Sequence, residues 1–318
     1  MDVSIVIVNW ISKDFLGPCL RSVERHARGI EHEVIVIDSG SFDGCAEMLA
    51  AEFPQVRFLQ SEANLGFAGA NNAACRHARG SRILFLNPDT ELESPAVARM
   101  AEHLDRTPDA GAVGCRLLNG DGSIQTCCVQ SFPTILGQLL NSELLLRRFP
   151  RWQIWGMPTL LEPRAEPARV DVVSGACLMV RRADFERVGG FSEDYFMYAE
   201  DVDLCHKLKQ AGLVNYYLPG ATVRHYGGGC TDKAPSEFSV VMMRDSIWRF
   251  LRKSRGASYG AAYRAAMVVS ALSRLALLLP LYPLHLAWRR APSPRPSARK
   301  WLAILAWSTG IRRAPRPA

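Results

Sequence analysis

Short, uninterrupted apolar runs alternate along the chain with longer stretches in which apolar residues recur every three or four positions. VSIVIVNW (3–10) is β-branched and lacks polar alternation, as expected of a strand covered on both faces of a parallel sheet. The next segment, 15–26, predicts a helix. EVIVIDSG (33–40) predicts a second strand of the same kind, after which Ser41 or Asp43 caps a helix running to about Phe53. VRFLQSEAN (56–64) predicts a third strand, 68–79 a helix, and RILFLNPD (82–89) a fourth strand. Strands and helices at this spacing make right-handed βαβ units, so the expected class is α/β: a Rossmann-like, doubly wound, mostly parallel sheet.

Two stretches interrupt that rhythm. Residues 131–168 mix Pro, Trp and Leu without a period and predict an acceptor-side insertion or lid. The regular chain resumes with VDVVSGACLMVRR (170–182) as a strand, a helix from Ala183, and the loop GGFSEDYFMYAED. A helix then begins near Glu200, and the short strand in LVNYYLPGATVRH ends at His225. From Ala261 the chain becomes strongly apolar, then Pro/Arg-rich, then apolar again in WLAILAWSTGIRR. The expected division is a sheet domain over 1–245 and a basic, apolar helical tail over 246–318.

Charge sharpens this division. The 318 residues carry a net +7, which alone suggests a nucleic-acid binder. From Trp248 onward, however, there are 14 basic residues and no acidic one, leaving 24 basic against 31 acidic before it. The body is therefore acidic and no nucleic-acid partner is expected. With 48% hydrophobic residues and a mean hydropathy of -0.02, a polytopic membrane protein is excluded, while one apolar segment is allowed. Nine cysteines form no C-x-x-C pair, as expected of packed free thiols in a reducing cytosol. Met1-Asp2 leads directly into the first strand, so no signal peptide is expected.

In an open α/β sheet, ligands collect at the carboxyl ends of the strands. Polar residues stand at all four: Asn9, Asp38, Asn64 and Asn87-Pro88-Asp89. A dinucleotide oxidoreductase would carry G-x-G-x-x-G after the first strand, whereas this chain has NWISKDFLG. Without that loop, phosphate charge needs another counterweight, and Mg²⁺ or Mn²⁺ held by Asp89 supplies it with few carboxylates. Glu200, Asp201 and Asp203 crowd one helix start, more negative charge than a helix dipole needs, and their repulsion raises at least one pKa toward the range of a general base. His225, after a strand and before glycines, is a further candidate metal or phosphate contact.

VSIVIVNW, VIVIDSGSFDG, NLGFAGANNAA, ILFLNPDTEL, SGACLMVRR and GGFSEDYFMYAEDVDLCHKLKQAG, in this order, resemble the inverting GT-A glycosyltransferases of family 2. The NPD form and the FMYAEDVDL block most resemble bacterial rhamnosyltransferases acting on polyprenyl-linked acceptors. The resemblance covers about residues 3–230. It implies a nucleotide-sugar donor, with Asp38 at the base or ribose and Asn9 and Asn64 shaping the nucleotide pocket. It also implies Asp89 and His225 at the metal and diphosphate, Asp201 as catalytic base, and Glu200 and Gly175 in the acceptor pocket. Asn87 stands where the family's D-x-D has its first aspartate, and His206-Lys207 where a hydrophobic-Arg pair is commoner.

The expected function is inverting transfer of a sugar, L-rhamnose from dTDP-rhamnose, to a glycan or lipid-linked glycan hydroxyl in cell-surface polysaccharide synthesis. The rivals are a membrane-anchored sugar-nucleotide or polysaccharide-binding module without turnover, and a nucleotidyltransferase, whose Gly/Arg/Lys-rich loop after the first strand is absent. In the tail, 265–288 matches the roughly 20 residues a bilayer core requires. Arg274, Pro280 and Pro283 oppose a straight span. With Trp288, Trp301 and Trp307 among cations such as Arg289, Arg290, Arg299 and Lys300, the tail is expected to lie as a shallow or re-entrant anchor on the anionic cytoplasmic face of the membrane.

Overall fold

Val3, Ile5 and Ile7 of the first strand, β1 (Val3–Asn9), are fully buried. An all-apolar strand needs cover on both faces, and β1 has it at the centre of a parallel array with β2 (His32–Ser39), β3 (Arg57–Ser61) and β4 (Arg82–Leu86). Helices α1 (Lys13–His26), α2 (Cys45–Glu52) and α3 (Gly66–Cys75) join them. The computed structural model describes residues 1–141, 166–227, 237–278 and 295–312, with isolated positions besides. The chain divides into two compact units, one of Met1–Phe132, Leu146–Phe196 and Glu200–Cys230, the other of Pro133–Leu145, Met197–Ala199 and Thr231–Ala318.

The first unit agrees with the sequence up to β4, which stops at Leu86 because the Asn87-Pro88-Asp89 turn follows and Pro88 has no N–H for a ladder. The turn leads into β5 (Thr90–Leu92), then α4 (Ala96–Arg106) and β6 (Ala110–Leu118). The stretch 170–182, expected as one strand, is broken at Ser174-Gly175-Ala176. Ahead of the break lie β8 (Ala168–Val170) and β9 (Val172–Val173), the latter paired with β7 (Val129–Gln130) in a separate two-stranded sheet. After the break, β10 (Cys177–Arg181) enters the main sheet antiparallel to both β4 and β6. Helices α6 (Arg182–Arg187) and α7 (Glu200–Gln210) precede β11 (Val214–His225), which lies parallel to β6 and antiparallel to β5 and β8. The order β3-β2-β1-β4-β10-β6-β11-β5 is thus a mixed α/β sheet, parallel on one side and interrupted by the reversed β10.

The second unit is helical: α5 (Ile135–Leu140), α8 (Glu237–Arg255), α9 (Ala257–Leu278) and α10 (Arg295–Ser308). The boundary expected at 245/246 falls inside α8. Tyr263, Trp307 and Phe250 are at most 2% exposed. The Trp307 indole donates to Asp245 Oδ1 at 3.0 Å, and Arg264 lies 5.4 Å from the Trp248 ring and 5.2 Å from that of Trp307. Trp301 and Trp307, expected at a membrane surface, are therefore interior residues of the helical unit, because α8, α9 and α10 supply one another's apolar cover. The outer stripe of α9 stays uncovered, with Val269 65%, Leu272 52% and Leu277 71% exposed. The expected lid at 131–168 lies largely outside the described residues, as do Pro280, Pro283, Trp288, Arg289 and Arg290.

All eight described cysteines are free thiols. Burial pushes those of Cys19 and Cys128 up to about 12, so they behave as small packed apolar groups.

Candidate functional site

Parallel pairing places Asn9 beside Asp38 at the carboxyl ends of β1 and β2. Both are fully buried. Asn9 Nδ2 donates to Asp38 Oδ1 at 2.9 Å and to Asp43 Oδ1 at 3.1 Å, while its Oδ1 accepts from Ser12 Oγ at 2.8 Å. Asp38 also accepts from the Phe42 N–H (2.9 Å), the Gln60 amide (2.8 Å) and the Ser41 hydroxyl. Burial works to raise the Asp38 pKa; bonds from Ser41, Gln60, Phe42 and Asn9 outweigh it and hold the carboxylate below its ordinary value. Asp43 accepts the backbone N–H groups of Ser12 (3.1 Å) and Lys13 (3.0 Å), capping α1.

Ligand atoms of Asp38, Asp43 and Cys45 lie within 4.8 Å of one another, the spacing of a metal cluster. The chemistry is that of an internal network: both carboxylates already accept several donors, and burial, followed by the charge of Asp38, pushes the Cys45 thiol up to about 12. Asn64 serves the next turn, its Oδ1 accepting from the Gly66 N–H at 2.9 Å. Gly66 has φ +68 and Phe196 packs where its Cβ would stand, while the Phe67 N–H donates to the Phe196 carbonyl at 3.0 Å, so the NLGF and FMYAED motifs meet here. Trp10 and Phe42, each just past a strand end, are 36% and 61% exposed. The sequence reading passed over both, although an aromatic beside each strand-end polar group was the available signal.

A second group of residues gathers around the reversed strand. Leu86 pairs with Cys177, and the Asn87 N–H donates to the Ala176 carbonyl at 2.9 Å, so the NPD and SGA turns are joined. The next N–H along, that of Gly175, donates to Asp201 Oδ2 at 2.9 Å, and Val202 N–H donates to Oδ1 at 2.8 Å. A Cβ on Gly175 would meet the Asp201 Cβ at 3.3 Å. From the other side, β11 pairs with β5 so that His225 faces Thr90, bringing His225 Nε2 to 3.3 Å from Asp89 Oδ1 and 3.4 Å from Asn87 Nδ2. Gln125, absent from the sequence reading, orients the ring. Its amide Nε2 donates to the His225 carbonyl at 2.6 Å, so its Oε1, 2.9 Å from Nδ1, accepts the ring's proton there. A histidine nitrogen and a carboxylate oxygen thus stand within reach of one cation, which makes the pair a candidate metal site.

The three carboxylates of α7 have three different environments. Asp203, 2% exposed, is held by the Ser192 hydroxyl (2.5 Å) and the Tyr195 hydroxyl (3.2 Å), with Lys207 Nζ at 3.7 Å. Glu200, 7% exposed, has an Oε2 with no hydrogen-bond partner, and burial first, then the Asp201 charge, raises its pKa to about 8. Asp201 is half-buried, and burial raises its pKa against the N–H bonds it accepts. Immediately before them, Tyr198 and Ala199 hold φ of 70° and 63°, a strained backbone for non-glycine residues. Proton-accepting capacity and an oriented Asp–His pair thus lie either side of one short turn.

A sequence pattern described as "Glycosyl transferase family 2" matches residues 4–189, and one described as "Glycosyl transferase family group 2" matches 159–311. The N-acetylglucosaminyl-diphospho-decaprenol L-rhamnosyltransferase of Mycobacterium tuberculosis is 34% identical over 216 residues, 64% of this chain and 69% of that protein. Rhamnosyltransferase WbbL of Escherichia coli is 26% identical over 233 residues, 70% of this chain and 83% of that one. Among solved structures, the mannosyltransferase PcManGT from Pyrobaculum calidifontis, in complex with GDP-Man and Mn²⁺, shares the fold with a TM-score of 0.58 at 17% identity, over 98% of this chain and 88% of that one. The family pattern covers more than half of the 318 residues, and this chain belongs to glycosyl transferase family 2 as a glycosyltransferase.

Proposed function

We propose that the protein transfers L-rhamnose, with inversion, from dTDP-rhamnose to a hydroxyl of a lipid-linked or other glycan acceptor in cell-surface polysaccharide synthesis. The observation that carries this reading is the join between the Asn87–Asp89 turn and the Ser174–Ala176 turn, which sets the Asp89–His225 pair beside the carboxylate of Asp201. The names of the M. tuberculosis and E. coli relatives support the sugar and the class of acceptor.

In this reading Asp201 removes the proton from the acceptor hydroxyl as that oxygen attacks the anomeric carbon. Its raised pKa makes it a stronger base than an ordinary aspartate, and the Gly175 and Val202 N–H groups fix its orientation. Glu200, whose pKa is raised by burial and by the charge of Asp201, keeps a second negative charge away from the base beneath the acceptor pocket. Gly175, with no Cβ, lets the Asp201 side chain pack closely against its backbone in the acceptor pocket. The nucleoside diphosphate leaves from the opposite face, which inverts the configuration. Asp38 and Asn9 hold the Ser41-Phe42 turn and Asn64 holds the next one, so Phe42 and Trp10 present their rings to the nucleotide base. Asp89 and His225 would hold Mg²⁺ or Mn²⁺, which when bound would supply positive charge against that of the leaving diphosphate.

The tail keeps the enzyme on the cytoplasmic face of the membrane, where a lipid-linked acceptor resides. Support comes from its 14 cations without an acid and from α9, a 22-residue helix whose most apolar 18 residues have a mean hydropathy of 1.4 and whose outer stripe is apolar. The decisive experiment is a donor panel: dTDP-rhamnose, UDP-hexoses and UDP-N-acetylhexosamines offered to the purified protein, with nucleoside diphosphate release measured for each. Release from dTDP-rhamnose at least tenfold faster than from the others is the expected result. Equal or greater release from a UDP-sugar would overturn the choice of donor.

A further inference from the structure

The helical unit gathers three cations that have no counter-ion among the described residues. Arg244 of α8 is 9% exposed, and its Nη1 donates to Gln138 Oε1 at 2.5 Å. Arg274 of α9 donates from Nη2 to the carbonyl of Leu139, the next residue, at 3.1 Å. The same Arg274 lies 4.5 Å from the Trp301 ring, which Lys300 of α10 approaches to 5.6 Å. Three helices thus converge their positive charges on the end of α5 and one indole. The two described carboxylates of this unit are engaged elsewhere: Glu237 with Arg312 at 2.9 Å, and Asp245 with Arg249 at 2.7 Å and the Trp307 indole at 3.0 Å.

Neutral amide and carbonyl oxygens do not offset three charges. Burial, then the charges of Arg244 and Arg274, lowers the Lys300 pKa, so the three act on one another. A buried arginine without an acid costs stability unless an anion joins it. The forked guanidinium donors suit phosphate oxygens, and Lys300 adds a point charge. Two or more negative charges match this set better than the single charge of a phosphodiester. Leu277 on α9, one turn beyond Arg274, is 71% exposed, and Leu302, two residues beyond Lys300, is exposed as well. Anion-binding groups next to uncovered apolar surface fit a lipid whose headgroup carries the anion.

We propose that Arg244, Arg274 and Lys300 form a binding site for the phosphomonoester or diphosphate headgroup of a membrane lipid. The proposal deepens the membrane reading above and rests on it. The test is co-sedimentation of the full chain with three vesicles: neutral phosphatidylcholine, phosphatidylcholine with phosphatidylglycerol, and phosphatidylcholine with phosphatidic acid at matched total charge. Tighter binding to phosphatidic acid, reduced about fivefold in Lys300→Gln and further in Arg274→Gln/Lys300→Gln, supports the site. Restoration by Lys300→Arg and unchanged donor binding in each variant exclude misfolding.

Equal binding to phosphatidic acid and phosphatidylglycerol overturns the site and leaves the membrane reading standing. Inorganic pyrophosphate, measured calorimetrically, separates the sources. Competition with phosphatidic acid vesicles supports the shared phosphate chemistry, whereas pyrophosphate binding by a chain that sediments with no vesicle overturns the lipid as occupant and the membrane reading with it.

Discussion

Two strand-end regions of the sheet use the same residue types in opposite ways. At the ends of β1 and β2, Asn9, Asp38 and Asp43 spend their hydrogen bonds on one another and on nearby backbone N–H groups. At the turns flanking β10, by contrast, the Asp89 carboxylate lies 3.3 Å from His225 Nε2, and Glu200 Oε2 is the carboxylate oxygen buried without a hydrogen-bond partner among the described residues. A polar group at a strand end does not declare which of these it is. Saturation marks a framework that holds loops in place; incomplete saturation marks the groups left to act on a ligand.

The contrast is sharpest at Asp201. Asp201→Asn is expected to reduce transfer by about 10²-fold or more while donor binding stays unchanged; the amide cannot take a proton, and because its one oxygen serves only one of the Gly175 and Val202 N–H groups, a small fall in melting temperature accompanies the loss. Steady-state kinetics with a dansylated or radiolabelled acceptor checks this. If Asp203→Asn were the inactive variant and Asp201→Asn turned over normally, the base is misassigned.

Next in size is the Asp89–His225 pair. Asp89→Ala or His225→Ala should weaken donor binding, and EDTA should lower activity that Mg²⁺ or Mn²⁺ restores. Gln125→Leu, which removes both the partner of Nδ1 and the donor to the His225 carbonyl, should raise the metal concentration needed for half-activity by about 10-fold. Full turnover in chelator would remove the cation from the mechanism.

The framework region should respond in stability instead. Asn9→Ala leaves the buried Asp38 and the half-buried Asp43 each short of a donor and is expected to cost about 3 kcal/mol, read as a fall of roughly 6–10 °C in Tm. Nucleotide affinity measured well below the new Tm should change far less than in Asp89→Ala. A normal Tm with lost donor affinity would reverse the roles assigned to the two regions.

The smallest effect is expected at Glu200, and its sign follows from the raised pKa. The folded state retains the proton up to about pH 8, whereas the unfolded chain releases it near 4.5, so this residue costs stability progressively as pH rises between those values. Glu200→Gln should therefore raise Tm by a few degrees at pH 8.5 and leave it unchanged at pH 4. Calorimetry at the two pH values checks it, and a lower Tm for the variant at pH 8.5 would mean that the carboxylate is ionised and partnered.

The sequence made the framework region readable because its information is local. Each βα unit announces itself by a β-branched run, a polar strand end and a helical period, and the observed β1–β4 follow that reading within a few residues. The catalytic side was readable in its parts but not in its assembly. Asp89, Asp201 and His225 stood out as residues, yet the reversal of β10 depends on a three-residue break at Ser174-Gly175-Ala176 inside an apolar run, and nothing in the period of VDVVSGACLMVRR separates a broken strand from a continuous one.

Residues 90–130 went unread although α4 buries Ala96, Val97, Met100, Ala101 and Leu104, a helical period that was visible. Gln125 could not be found, because a lone glutamine gains meaning only when a strand register brings His225 to it. In the tail, tryptophans among cations read as a membrane belt, and only the packing of three helices turned Trp301 and Trp307 inward.

The register between β11 and β5 also bears on the order in which the molecule can form. The parallel strands join through short helical crossovers, but the contact between Asn87 and His225 closes a separation of 138 residues. Closing so long a loop loses chain entropy that local contacts do not, so the pairing belongs to a late step of folding. A nascent chain can thus complete its β1–β4 framework while the residues proposed to do chemistry are still apart. A cation that stabilises the Asp89–His225 pair would act only after that step, slowing unfolding while leaving the early folding rate unchanged.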